Sequence, residues 1–126
     1  MYLLDTHTFL WFLHNSPHIS QKALNIIGTE EQIYVSIASF WEIAIKKSIG
    51  KLKIEYPIQK IETLCCEKDI SLLHITSKHL DTLISLPNIH NDPFDRLLIS
   101  QAMSENLSII TKDSIIPQYP VETIWQ

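Results

Sequence analysis

Two hydrophobic periods alternate along the chain. Residues 2–5 (YLLD) form an apolar run of strand length, and in the THTFLWFLHN that follows, Phe9, Leu10 and Leu13 recur at helical spacing. A strand therefore runs directly into a helix. After a turn at Pro17, SQKALNIIG predicts a second helix with Ser20 as its cap and Gly28 as its terminator. Residues 32–36 (QIYVS), β-branched and aromatic, predict a second strand. From Ile37 the period lengthens again: Ile37, Phe40, Trp41, Ala44 and Ile45 follow the i, i+3, i+4, i+7, i+8 rule of an amphipathic helix that Gly50 ends.

Pro57 opens another helix (IQKIETLCCEKD), residues 70–75 (ISLLHI) predict a third strand, and Thr76 caps a helix that Pro87 stops. Beyond the loop PNIHN, PFDRLLISQAMSEN predicts a helix, residues 107–113 (LSIITKD) a fourth strand and residues 121–125 (VETIW) a short fifth. Strands and helices in alternation are what a parallel α/β sheet requires. No repeat, low-complexity tract or linker interrupts the pattern.

Composition sets bounds on this picture. The 126 residues suit one domain, and 45% apolar residues with only two glycines argue for a packed fold and against disorder. The net charge of −4 lacks the basic footprint of many nucleic-acid binders, so a phosphate partner would need local lysines or bound cations. Cys65 and Cys66 are adjacent and have no companions at zinc-site spacing, which predicts free thiols in a reducing compartment. The apolar start carries Asp5 and two histidines without a basic flank, and nowhere do ~18 apolar residues run uninterrupted. The expectation is a cytoplasmic protein without a signal peptide or membrane span.

In an open parallel sheet ligands bind outside the carboxyl ends of the strands. Asp5 is expected to end the first strand and Asp113 the fourth. Glu42 falls about one and a half turns into the helix after the second strand, and Asp95 in the first turn of the helix before the fourth. Four carboxylates converging there would raise one another's pKa values unless a cation neutralised them, and a hard oxygen-seeking ion such as Mg²⁺ or Mn²⁺ suits the donors.

Each acid also has a plainer explanation. With Asp92 as cap and Pro93 at the first helical position, Asp95 completes a good helix start. Glu42 precedes Lys46 by four residues, a common surface pair, and Ser39 to Glu42 spells a capping box if the helix begins late. Asp113 suits a turn. Asp5, between two apolar segments, is the hardest to explain without a partner. The histidines lack a ligand-spaced companion to His7, and Phe9, Trp11, Phe12 and Trp41 suit core or interface better than base stacking.

LLDTHTFLWF at the start, SFWEIAIKKSIGKL in the second quarter, HNDPFDRLLISQAMSENLSIITKD near the end and the closing Trp125 together resemble bacterial PIN-domain proteins of the VapC-like toxin group. The resemblance spans nearly the whole chain. It implies a single PIN domain over residues 1–126, built as a three-layer α/β/α sandwich with a central parallel sheet. It further implies Mg²⁺ or Mn²⁺ on an acidic cluster, endoribonuclease activity, a small antitoxin that holds the protein inactive, and a homodimer. Carried over residue by residue, the cluster is Asp5, Glu42, Asp95 and Asp113, with Asp92 as a cap.

On that resemblance, Asp5 and Asp95 would hold the principal ion, Asp113 would help directly or through water, and Glu42 would orient or deprotonate the attacking water of RNA hydrolysis. Thr6 and Thr111 would steady the carboxylates, and Arg96, Lys46, Lys47 and Lys112 are candidates for phosphate contacts. The rival reading is a non-catalytic PIN-like module that binds RNA or a partner. Receiver and haloacid-dehalogenase designs fit poorly, because each needs a second acid just after the first strand and Thr6 and His7 stand there.

Overall fold

The computed structural model describes Met1–Gln126. In chain order the elements are β1 (Tyr2–Leu4), α1 (Thr6–Leu13), α2 (Gln21–Thr29), β2 (Ile33–Ser36), α3 (Ile37–Ser48), α4 (Ile58–Glu67) and β3 (Ile70–Leu73). They continue with α5 (Ser77–Ile84), α6 (Pro93–Glu105), β4 (Ser108–Ile110), a 3-10 turn (Ile116–Gln118) and β5 (Thr123–Ile124). All five strands are parallel, in the order β3-β2-β1-β4-β5.

The two-residue period of the strands divides the core in two. On β1, Leu3 and Leu4 point to opposite faces, and so do Ile109 and Ile110 on β4. Leu4, Val35 and Ile110 pack with Phe9, Ala23, Ile43 and Ile61 from α1–α4, while Leu3 and Ile109 pack with Leu98, Ile99 and Ala102 of α6. Layers of helix cover both faces, which is the expected α/β/α sandwich and the reason the strands are continuously apolar. Each fully buried side chain of this kind stabilises the fold by ~1.5–3 kcal/mol.

Caps explain most helix boundaries. The Ser20 hydroxyl accepts the Ala23 N–H, Ser36 that of Ala38 and Thr76 that of His79, whose ring in turn accepts the Thr76 N–H to complete a capping box. Some boundary expectations change, and the strands are shorter than their apolar runs. Gly28 does not end α2, which runs on to Thr29; nothing there requires a left-handed residue. α3 starts at Ile37 under Ser36, as its period predicts, which rules out the Ser39–Glu42 capping box of a later start. β4 ends at Ile110, three residues short of Asp113, because Asp113 accepts the N–H groups of Ile115 and Ile116 and turns the chain. Gly50 does follow α3 at φ +75, a conformation glycine adopts without strain.

Cys65 and Cys66 are both free. Burial, with the charge of Glu62 beside it, pushes the Cys65 thiol up to about 11, leaving it inert at neutral pH. No helix is long and apolar enough to cross a membrane.

Candidate functional site

The chain leaves β1 for β2 on one side and later returns to lay β4 on the other. The crevice beyond the carboxyl ends of β1 and β4 is therefore the topological switch point, where doubly wound sheets bind ligands. Asp5 stands at its floor. It is the N-cap of α1 and not the last residue of the strand: Oδ1 accepts the Thr8 N–H at 2.9 Å, and Oδ2 accepts the hydroxyl of Thr111, just past β4. One carboxylate thus fastens the two strand ends together. Its burial raises its pKa against the opposing hydrogen bonds from Thr111 and Thr8.

Asp95 enters from the start of α6. Asp92 Oδ1 accepts the N–H groups of Phe94 at 2.8 Å and Asp95 at 3.1 Å, and Pro93 needs no partner, so this helix end is closed without using the Asp95 carboxyl. That carboxyl is left to face Asp113 across the imidazole of His90. His90 Nε2 lies 3.2 Å from Asp95 Oδ2 and 3.2 Å from Asp113 Oδ2. The ligating atoms of His90, Asp95 and Asp113 all fall within 4.8 Å of one another.

Which nitrogen of His90 bears the proton follows from its other contact. Its Nδ1 accepts the Asp92 N–H at 3.1 Å, so the proton is on Nε2 and is presented to the two carboxylates. In this form His90 donates to Asp113 and lies equally close to Asp95, and its ring nitrogen stands beside the two carboxylates as a third candidate ligand atom. Its loop is anchored by the buried Tyr119 hydroxyl, which accepts the N–H groups of Ile89 and His90 at 3.1 and 2.8 Å and donates to the Pro87 carbonyl at 2.8 Å.

Glu42 reaches the crevice from the second turn of α3 and is buried. Its Oε1 accepts the Thr6 hydroxyl at 2.8 Å and its Oε2 pairs with Lys46 at 2.7 Å. Thr6 Oγ1 also lies 2.9 Å from Ser39 Oγ, so the starts of α1 and α3 are linked through hydroxyls. Thr6 and Thr111 hold carboxylates as expected of them.

Burial, followed by the charges of Asp92, Asp5, Asp113 and Glu42, pushes Asp95 up to about 8. This is the mutual raising that converging carboxylates predict in the absence of a cation: burial and four like charges outweigh the α6 N-terminus, since a helix end is worth ~0.3–1 kcal/mol at exposed sites. Asp113 goes the other way. Burial raises it, but the N–H groups of Ile116 and Ile115 and the His90 ring outweigh that and hold it below the usual carboxylate range. A carboxylate-rich donor set whose central acid resists ionisation is a site that a divalent cation complements, so the residues fit Mg²⁺ or Mn²⁺.

Asp95 and Asp113 are thus brought together directly, while Asp5 and Glu42 stand outside that radius yet close enough for their charges to raise Asp95. Sequence reasoning missed His90. Its signal was its place two residues before a helix-capping aspartate, where an imidazole can accept the cap's N–H. Three of the suggested phosphate cations are otherwise engaged. The guanidinium of Arg96 bonds the Pro87 carbonyl and Tyr119, Lys46 pairs with Glu42, and Lys47 bonds the Tyr56 carbonyl.

The chain matches the PIN domain family over residues 2–122. No curated protein matches it. Three solved structures share its fold at low identity. The Rickettsia felis VapBC2 complex, bound to a DNA fragment from its promoter, matches with TM-score 0.75 and 16% identity over 99% of this chain and 98% of that one. A Klebsiella pneumoniae toxin–antitoxin complex gives 0.66 and 14% over 98% and 96%. FitAcB of Neisseria gonorrhoeae gives 0.68 and 16% over the same shares, 98% and 96%.

Proposed function

The chain belongs to the PIN-domain family, and from that premise we propose that it is a Mg²⁺- or Mn²⁺-dependent endoribonuclease, the toxin of a type II toxin–antitoxin pair. The observation that carries the proposal is Asp95, a carboxyl pushed up to about 8 by burial and by four other acids at the switch point of the sheet. Each charge in such a cluster opposes the next, so the arrangement costs stability and supports a functional role over a purely structural one.

Asp5, Asp95 and Asp113 would hold the ion. When bound, the ion offsets the charge that builds on the phosphodiester and makes water a stronger acid. Glu42, its carboxylate fixed by Thr6 and Lys46, orients the attacking water. His90 keeps Asp95 and Asp113 at their spacing, and Thr111 keeps Asp5 aimed between the strand ends. These contacts preorganise the donors, so little reorganisation is needed when substrate arrives.

The similar folds include toxin–antitoxin complexes, which supports a small antitoxin as partner. Trp41 is 58% exposed and Ile45 and Ile49 continue its line along α3, an apolar strip that an antitoxin or a second copy of the chain would cover. The whole of residues 1–126 would act as one PIN domain in the cytoplasm. Antitoxin-free protein incubated with total RNA tests the activity: fragments that appear with Mn²⁺ and vanish with EDTA support the enzyme. RNA bound but left uncut in Mn²⁺ would instead support a binding module.

A further inference from the structure

The crevice has a second wall that the proposed hydrolysis leaves unused. A cavity of about 360 Å³ opens between the start of α1 and the segment after β4, bounded by Asp5, His7, Trp11, Lys112, Asp113 and Ser114. That volume lies in the ~300–1,000 Å³ range of small-ligand sites. Asp5 and Asp113 belong to the acidic cluster, so whatever fills the cavity lies against the reacting groups.

Two features give this wall its own chemistry. His7 and Trp11 stand four residues apart on α1 and so share a face of the helix. Their rings stack with centroids 5.8 Å apart and planes 20° apart. Trp11 is held in turn by His18 and by Trp125 from the end of the chain, each at 5.7 Å. Trp11 is half-buried and fixed by its neighbours, whereas His7 is exposed at the open end of the stack. The second feature is Lys112. It is exposed and, unlike Lys46 and Lys47, forms no hydrogen bond or ion pair within the chain.

An aromatic ring and an unpaired ammonium lining one cavity of this size suit a ligand that carries both a π face and an anionic group. A nucleotide of a single strand presents both, whereas a duplex keeps its bases stacked inside. We propose that this cavity binds the nucleotide adjacent to the scissile phosphate of single-stranded RNA, with the base on the His7 ring and a backbone phosphate at Lys112. The proposal rests on the ribonuclease reading, which supplies the RNA. Because a stacked ring reads a base's face and not its edge, the site accepts any base. Trp11 packs against the core, as its place in the sequence suggests, and from there it backs the His7 ring.

Binding and cleavage are measured separately. Fluorescence anisotropy of a labelled short oligoribonucleotide is followed on the Asp95→Asn protein in Mn²⁺, with His7→Ala, His7→Phe and Lys112→Ala added singly. His7→Ala weakens binding roughly tenfold and His7→Phe, which keeps a ring, binds as the parent does. Lys112→Ala weakens binding and lowers the salt slope by about one phosphate contact. An oligomer lacking bases loses its sensitivity to His7→Ala. Both residues are exposed, so thermal melts of the substituted proteins should match the parent's. Parent-like affinity in His7→Ala and Lys112→Ala overturns the subsite even where the unsubstituted protein cleaves RNA. RNA bound in a His7- and Lys112-dependent way but never cut upholds the subsite and removes the hydrolytic reading.

Discussion

The backbone N–H of Asp92 donates to His90 Nδ1 at 3.1 Å, while the Asp92 carboxylate accepts the N–H groups that open α6. One residue thereby sets both the proton position of the imidazole and the presentation of Asp95. His90→Phe removes the donor between Asp95 and Asp113 and keeps the bulk. Isothermal titration with Mn²⁺ should show affinity falling by about 10- to 100-fold, the usual effect of losing a hydrogen-bond partner of the ligands. Unchanged affinity would mean that His90 does not space the carboxylates.

Asp92 and Asp95 divide the labour, and substitution separates them. Asp92→Asn keeps an N-cap oxygen and removes one of the charges that raise Asp95, so it should leave cleavage close to the parent and the melting temperature no lower, whereas Asp92→Ala gives up the cap at about 1 kcal/mol. Asp95→Asn should abolish cleavage while raising the melting temperature of the metal-free protein, because it removes the carboxyl that burial and four acids oppose. A destabilised Asp95→Asn protein would assign Asp95 to the fold.

The same carboxyl predicts how stability varies with pH. Its pKa is about 8 in the folded, metal-free protein against the usual 3.8, so the folded state holds a proton that the unfolded chain releases. Its unfavourable contribution grows from about pH 4 and levels off above about pH 8. Denaturant melts in EDTA should therefore lose stability across that window, and Asp95→Asn should flatten the loss. Mn²⁺ competes with that proton, so its stabilising effect should be larger at pH 8 than at pH 6. Asp113, held below the usual range, contributes stability that is lost only as pH falls below about 4.

Tyr119 supports the site from beneath. Tyr119→Phe strips the Ile89 and His90 N–H groups of their acceptor and should cost about 1–3 kcal/mol in chemical denaturation. Because that loop carries His90, Mn²⁺ affinity should fall with it. Loss of stability without loss of affinity would confine Tyr119 to the fold.

The sandwich was legible because its cause is periodic. Leu3 and Leu4, or Ile109 and Ile110, face opposite helix layers, and such runs read as doubly buried strands without three-dimensional help. Ser20, Thr76 and Asp92 announced their helices through side-chain chemistry that acts within three residues. Strand ends were less legible, since β4 stops at Ile110 for a turn that Asp113 makes with residues after it. Contacts between distant segments were legible only in part: Thr6 and Thr111 do hold carboxylates, but other partners were hidden. Arg96 looked free in the sequence and is engaged by Pro87 and Tyr119. His90 looked idle and stands between Asp95 and Asp113, residues 5 and 23 positions away that only the folded loop brings to its ring.

The measurement closest to the central claim compares cleavage of one RNA, in Mn²⁺, by the parent protein and by Asp5→Asn and Asp95→Asn forms shown by circular dichroism to be folded. The carboxylate cluster predicts fragments from the parent alone, abolished by EDTA. Undiminished cleavage by both substituted proteins would contradict it.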